Sequence, residues 1–75
     1  MQLVYEKYYK NLGQNISFYR KRRGLTQLQL CEMAEISRNH LSRIENADCA
    51  VSLDTVFAIA DALGVEPYKL FQEKD

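Results

Sequence analysis

The strongest constraint on this chain lies between Thr26 and Glu45, TQLQLCEMAEISRNHLSRIE, where two helix starts fall so close together that neither helix can run far. The Thr26 hydroxyl can cap the first, Gln29 three residues on completes a capping box, and Leu25 is placed to staple onto Leu30. The second opens in the same way, with Ser37 as cap, Ile36 and Leu41 as staple, and Leu41 and Ile44 at the spacing of a buried stripe. Only Glu35 and Ile36 separate the two patterns, so the chain must turn sharply there and pack one helix across the other.

Successive residues of a helix are rotated by about 100°, so burying Leu41 and Ile44 turns Asn39, Ser42, Arg43 and Asn46 outward, with Arg38 at the leading edge. None of these is apolar. The guanidinium fork of Arg matches the O6 and N7 acceptors of guanine, and Asn can pair bidentately with N6 and N7 of adenine. An exposed helix carrying Arg38, Asn39, Ser42 and Arg43 therefore suits the base edges of a major groove. The same residue types also make ordinary solvated faces. The second capped helix immediately upstream is what points to double-stranded DNA.

The rest of the chain reads as an all-helical scaffold. Leu12, Ile16 and Tyr19 repeat at helical spacing, and Gly24 follows a basic run as a stop, so helix 1 is expected to end near Arg23. Residues 1–11, with Tyr5, Tyr8 and Tyr9, either extend that helix or form an N-terminal arm. Ser52 caps a fourth helix with the stripe Leu53, Val56, Phe57, Ala60 and Leu63, and Gly64 ends it. Pro67 suits the first turn of a short fifth helix anchored by Leu70 and Phe71. The expected architecture is a compact all-α bundle of five helices in a single domain, residues 1–75.

Composition narrows the function classes. A chain of 75 residues buries only about 60% of its unfolded surface, so modest stability is expected. Cys31 and Cys49 lie in no CxxC or Cys/His pattern, so neither a disulfide scaffold nor a zinc site is expected, and no cofactor is implied. No apolar run approaches the ~20 residues needed to span a bilayer, and MQLVYEKYYK lacks a signal peptide's apolar centre, so a reducing cytoplasm is the expected compartment. The lone His40 has no nucleophile at a readable spacing, and there is no Gly-rich phosphate loop, which argues against an enzyme.

Net charge is zero, which is unusual for a nucleic-acid binder, but the charge is unevenly placed. Residues 1–43 hold eight basic against three acidic side chains, and residues 44–75 hold two basic against seven acidic. A balance of +5 in one half and −5 in the other suggests a positive face toward phosphate and a negative face away from it. Within the run Arg20-Lys21-Arg22-Arg23, Arg20 can reach toward Glu45, while the other three are expected in water, where one of them could touch a DNA backbone.

Taken together, RKRRGLTQ at residues 20–27, then Leu30, Ala34 and Ile36, LSRIEN at 41–46 and SLDTVFAIADALGV at 52–65 resemble the phage-repressor and Cro-like helix-turn-helix domains, over roughly Leu12 to Phe71. The resemblance implies a lambda-repressor-like fold with helices 2 and 3 as the motif. It further implies a phosphate contact from Gln27, base contacts from Arg38, Asn39 and Arg43, and an internal ion pair between Arg20 and Glu45. Ser37, His40 and Asn46 are expected beside Gln27 against the backbone. The chain departs from the pattern at Glu35, where the turn usually has Gly, at Ala47 and Asp48 after the recognition helix, and at Cys31, where Ala is usual. The implied function is sequence-specific DNA binding by a small transcriptional repressor of phage, restriction-control or mobile-element type. A single short reading helix implies a homodimer on a palindromic operator, self-associating around Leu70 and Phe71 or through the Tyr-rich N-terminus. The alternative is a protein-interaction module of antitoxin or adaptor type on the same fold, for which Leu28 and Met33 are the apolar residues expected to be exposed on the motif.

Overall fold

The computed structural model describes residues 4–73. Four α-helices follow one another, α1 (Glu6–Arg22), α2 (Gln27–Ala34), α3 (Arg38–Glu45) and α4 (Leu53–Leu63), and the chain closes with a 3₁₀ turn, Pro67–Leu70. Starts and stops follow local chemistry. Thr26 and Gln29 form the full capping box, and the hydroxyls of Ser37 and Ser52 accept from the backbone N–H of His40 and Thr55. Each α-helix ends in a Schellman pair of hydrogen bonds around a left-handed residue, which is Gly24 after α1 and Gly64 after α4, but Glu35 after α2 and Ala47 after α3.

The core joins one stripe from each helix, with Leu12 and Ile16 of α1, Leu30, Cys31 and Ala34 of α2, Leu41 and Ile44 of α3, and Val56, Ile59, Ala60 and Leu63 of α4. Leu70 closes the open end and is completely buried. The staple residues Leu25 and Ile36 pack against this cluster from the two turns.

Two expectations need correction. The fifth helix is only a four-residue 3₁₀ turn. Pro67 starts it, but the carbonyls of Leu70, Phe71 and Gln72 accept from the side-chain amides of Asn15, Asn11 and Asn15 on α1 instead of from later backbone N–H groups. Two of the residues expected in the α4 core stripe, Leu53 and Phe57, are 63% and 47% exposed. Burial follows Val56, Ile59, Ala60 and Leu63, which places Leu53 a turn beyond the core and Phe57 on its flank. Arg23 is exposed as expected, but its guanidinium is not left to water alone, reaching back to the end of α4 to donate to the carbonyls of Leu63 at 2.7 Å and Ala62 at 3.4 Å. A cation on unpaired C-terminal carbonyls complements the helix dipole.

The seat of α3 depends on a glycine within α1. A Cβ built on Gly13 would lie 2.6 Å from the backbone oxygens of both Ile44 and Glu45, so α1 and the end of α3 are in direct main-chain contact. Neither oxygen can rotate away. Gly13→Ala gains about 0.5–1 kcal/mol of helix preference but forces the two helices apart. The expected net result is a loss of about 2 kcal/mol, seen as a melting temperature lower by roughly 10 °C, with Gln14→Ala melting like the parent.

Candidate nucleic-acid interface

The short helices α2 and α3 are held by a polar node at one end. Arg20 of α1 donates through Nε and Nη2 to the two carboxylate oxygens of Glu45, at 2.8 and 3.1 Å, and through Nη1 to the carbonyl of Leu25 at 2.9 Å. Gln27, the first residue of α2, adds a third bond, its Nε2 donating to Glu45 Oε1 at 3.1 Å. The Arg20 and Glu45 side chains are only 11% and 6% exposed. A single carboxylate thus ties α1 and the start of α2 to the last residue of α3, and Arg20 extends the node to the α1–α2 turn.

With Leu41 and Ile44 buried and Glu45 fixed, the azimuth of α3 is set. Arg38, Asn39, Arg43 and Asn46 are exposed, while Ser42 and His40 are half-buried. Arg38, Asn39 and Ser42 share a cleft of about 350 Å³ with Gln27, so the structure brings three of the four expected base-reading residues beside an expected phosphate contact. Arg43 stands apart from that cleft. Its Nη2 donates to the backbone carbonyl of Asp48 at 3.3 Å, folding the side chain along the end of α3. Asn46 caps the C-terminal end of α3, and Ser37 sits at its N-terminal end with its hydroxyl already accepting from His40 N–H.

Capping leaves specific donors unused. The hydroxyl caps satisfy the N–H groups of Gln29 and His40, whereas the first two N–H groups of each helix, those of Gln27 and Leu28 and of Arg38 and Asn39, have no intrahelical acceptor. Helix N-termini of this kind attract phosphate oxygens. Two features of the site escape sequence reasoning. The Gln27–Glu45 bond joins residues 18 positions apart, and the Gly13 contact is signalled only by a glycine inside a helical run. Among the described residues no cluster of His, Cys, Asp or Glu could hold a metal, and no helix is long and apolar enough to cross a membrane.

Two short capped helices crossing at a tight turn, with a polar exposed face on the second, define the helix-turn-helix class of small helical domains. The Helix-turn-helix family model matches residues 16–70, and the chain belongs to that family. It is 47% identical over 55 residues to the immunity repressor protein of Bacillus phage phi105, covering 73% of this chain and 38% of that protein. It is 41% identical over 54 residues to the antitoxin PezA of Streptococcus pneumoniae, covering 72% of this chain and 34% of the antitoxin. The chain thus spans little more than a third of either relative. Among solved structures, the restriction-modification controller protein C.AhdI of Aeromonas hydrophila superposes with a TM-score of 0.82 at 30% identity, covering 84% of this chain and 96% of the controller.

The buried pair sets a stability expectation. Arg20→Ala strands the Glu45 carboxylate and also leaves the Leu25 carbonyl without its donor. The loss should be about 3–5 kcal/mol in urea denaturation, far above the ~0–1 kcal/mol of an exposed ion pair such as Glu6–Lys10.

Proposed function

We infer that this domain is a sequence-specific, double-stranded DNA-binding transcriptional regulator whose α3 enters the major groove. The observation that carries this reading is the cleft uniting Gln27 with Arg38, Asn39 and Ser42, because it sets a phosphate-facing helix start beside three side chains suited to base edges. Asn39 matches adenine, and Arg38 and Arg43 match guanine; Gln27, Ser37, His40 and Asn46 flank them for the backbone. Similarity to a phage immunity repressor favours repression as the sign of regulation. Similarity to the antitoxin, with Leu28 and Met33 at 53% and 50% exposure on α2, favours a second reading as a protein-interaction module. Selection from a random DNA pool separates the two, since only the first yields an enriched sequence.

Arg43 tests base reading against mere charge. Releasing it from the Asp48 carbonyl lets it form a bidentate contact to guanine, contributing about 1–3 kcal/mol of discrimination. Arg43→Ala should weaken the selected site by roughly 5- to 100-fold more than a scrambled duplex and relax one position in each half-site. Equal losses on both duplexes would reduce Arg43 to an electrostatic contact.

A reading helix of eight residues contacts few base pairs, so the regulator acts as a homodimer on a palindromic site, with its α3 helices about 34–36 Å apart. Leu70 cannot serve the interface because it is fully buried. Instead, Tyr5, Tyr8, Leu53 and Phe71, each about half to two-thirds exposed, surround one groove of about 300 Å³ floored by Leu12 and Val56. Aromatic side chains bury about 150–250 Å² each, so this patch provides the apolar centre of an interface of about 800 Å² per partner. Sedimentation equilibrium should show a dimer that Tyr8→Asp and Leu53→Asp convert to monomer. A parent protein that stays monomeric both free and on its selected DNA would exclude this arrangement.

A further inference from the structure

A second cleft, of about 550 Å³, also borders Gln27 but includes none of Arg38, Asn39, Ser42 or Arg43. One wall is α1, which contributes Gln14, Ser17, Phe18 and Lys21, and the other is formed by Gln27 and Asn46. Residues 14, 17 and 21 are three and four apart, the spacing of a single helix face, and none of them is apolar. Arg20 and Glu45 also border the cleft, but they neutralise each other within it, so Lys21 supplies its outward charge. Of the remaining side chains, Phe18 is an apolar edge of the cleft, and the others bring hydrogen-bond donors, the amides of Gln14, Gln27 and Asn46 and the hydroxyl of Ser17.

Gln27 borders both clefts, and its bond to Glu45 fixes it at the boundary between them. A strand whose bases lie under Arg38, Asn39 and Ser42 therefore has a continuous polar path past Gln27 onto α1. We propose that this face of α1, Ser17 and Lys21 with Gln14 and Asn46 beside them, is a second seat for the DNA backbone, binding a phosphodiester outside the helix-turn-helix motif. The proposal rests on the DNA-binding reading above. It adds contacts that position the protein without reading sequence, because phosphate groups are alike at every base pair. Lys21 supplies the ionic contact and Ser17 a neutral one, and these have separable signatures.

The test is titration of the full chain with its selected duplex and a scrambled duplex at several salt concentrations. Lys21→Ala should weaken both duplexes by similar factors, roughly five- to tenfold near 0.1 M salt, and reduce the slope of log K against log salt by about one. Lys21→Gln keeps most of the side-chain stem and should reproduce both effects, which separates lost charge from altered packing. Ser17→Ala should weaken both duplexes by roughly two- to fivefold with the slope unchanged. Arg22→Ala is the control, an exposed cation on the same helix that does not border the cleft, and its slope change should be well below one. Equal slope changes for Lys21→Ala and Arg22→Ala, or full affinity in Ser17→Ala, would overturn the seat while leaving the reading face intact. A parent chain that enriches no sequence and shows no salt-dependent binding would remove the DNA-binding reading itself.

Discussion

The carboxylate of Glu45 is the constraint on which the rest of this structure depends. Helices of eight residues are too short to be stable in isolation, and the apolar contacts that hold them, Leu30, Ala34, Leu41 and Ile44, are not directional. Apolar packing alone would permit α3 to roll or slide. A planar guanidinium gripping both oxygens of the last residue of α3, with Gln27 on one of those oxygens, removes that freedom. Gly13 completes the arrangement by letting the end of α3 rest on α1 main chain to main chain. The direction in which Arg38, Asn39 and Ser42 point is therefore fixed from the C-terminal end of the helix, away from the residues themselves.

Features governed by neighbours within about four residues were legible in the sequence. The caps at Thr26, Ser37 and Ser52, the stop at Gly24 and the buried pair Leu41 and Ile44 all belong to this group, since capping and helical periodicity act locally. What was missed depends on distant partners. Arg23 meets the end of α4 some 40 residues away, and Asn11 and Asn15 hold a tail 55 to 60 residues away. Long polar side chains give no sequence signal of which carbonyl they will reach. The α4 stripe shows a further limit, because periodicity places a face to within about a residue and cannot decide whether Leu53 and Phe57 meet a neighbour or water. At the site, the shared cleft of Arg38, Asn39 and Ser42 follows from their spacing, but the detour of Arg43 to Asp48 does not.

Two left-handed non-glycine residues frame α3, Glu35 before it and Ala47 after it, both at φ 58°. Each conformation costs about 1–2 kcal/mol for a residue with a Cβ. The expense is tolerated because each position closes a Schellman pair. Around Glu35, Ile36 N–H donates to Cys31 O at 3.0 Å; around Ala47, Asp48 N–H donates to Arg43 O at 2.8 Å. Ala47 also places its methyl in the interior, at 8% exposure, where Gly would leave a gap. Glu35 has no comparable compensation in the core, since its side chain is exposed. The turn between α2 and α3 therefore retains strain, whereas the exit from α3 recovers part of the same cost through burial.

The disposition of the cations gives the basic half of the chain a different meaning from its net charge. Of its eight positive side chains, Arg20 is committed to Glu45, Arg23 to the carbonyls at the end of α4 and Lys10 to Glu6, while Arg43 is engaged with the Asp48 carbonyl. That leaves Lys7, Lys21, Arg22 and Arg38. Lys7 lies about 21 Å along α1 from Lys21, at 1.5 Å per residue, well beyond a Debye length of about 8 Å at physiological salt. A hydrogen bond to a neutral carbonyl orients Arg23 and Arg43 without cancelling their charge, so among the described residues only the carboxylate pairs at Arg20 and Lys10 neutralise a cation. On the DNA-binding reading proposed above, the amides and hydroxyls around Gln27 and the open N–H groups of α2 and α3 add neutral donors to that charge. Such donors require a close, correctly oriented fit, so in that reading they supply register where charge alone supplies only attraction.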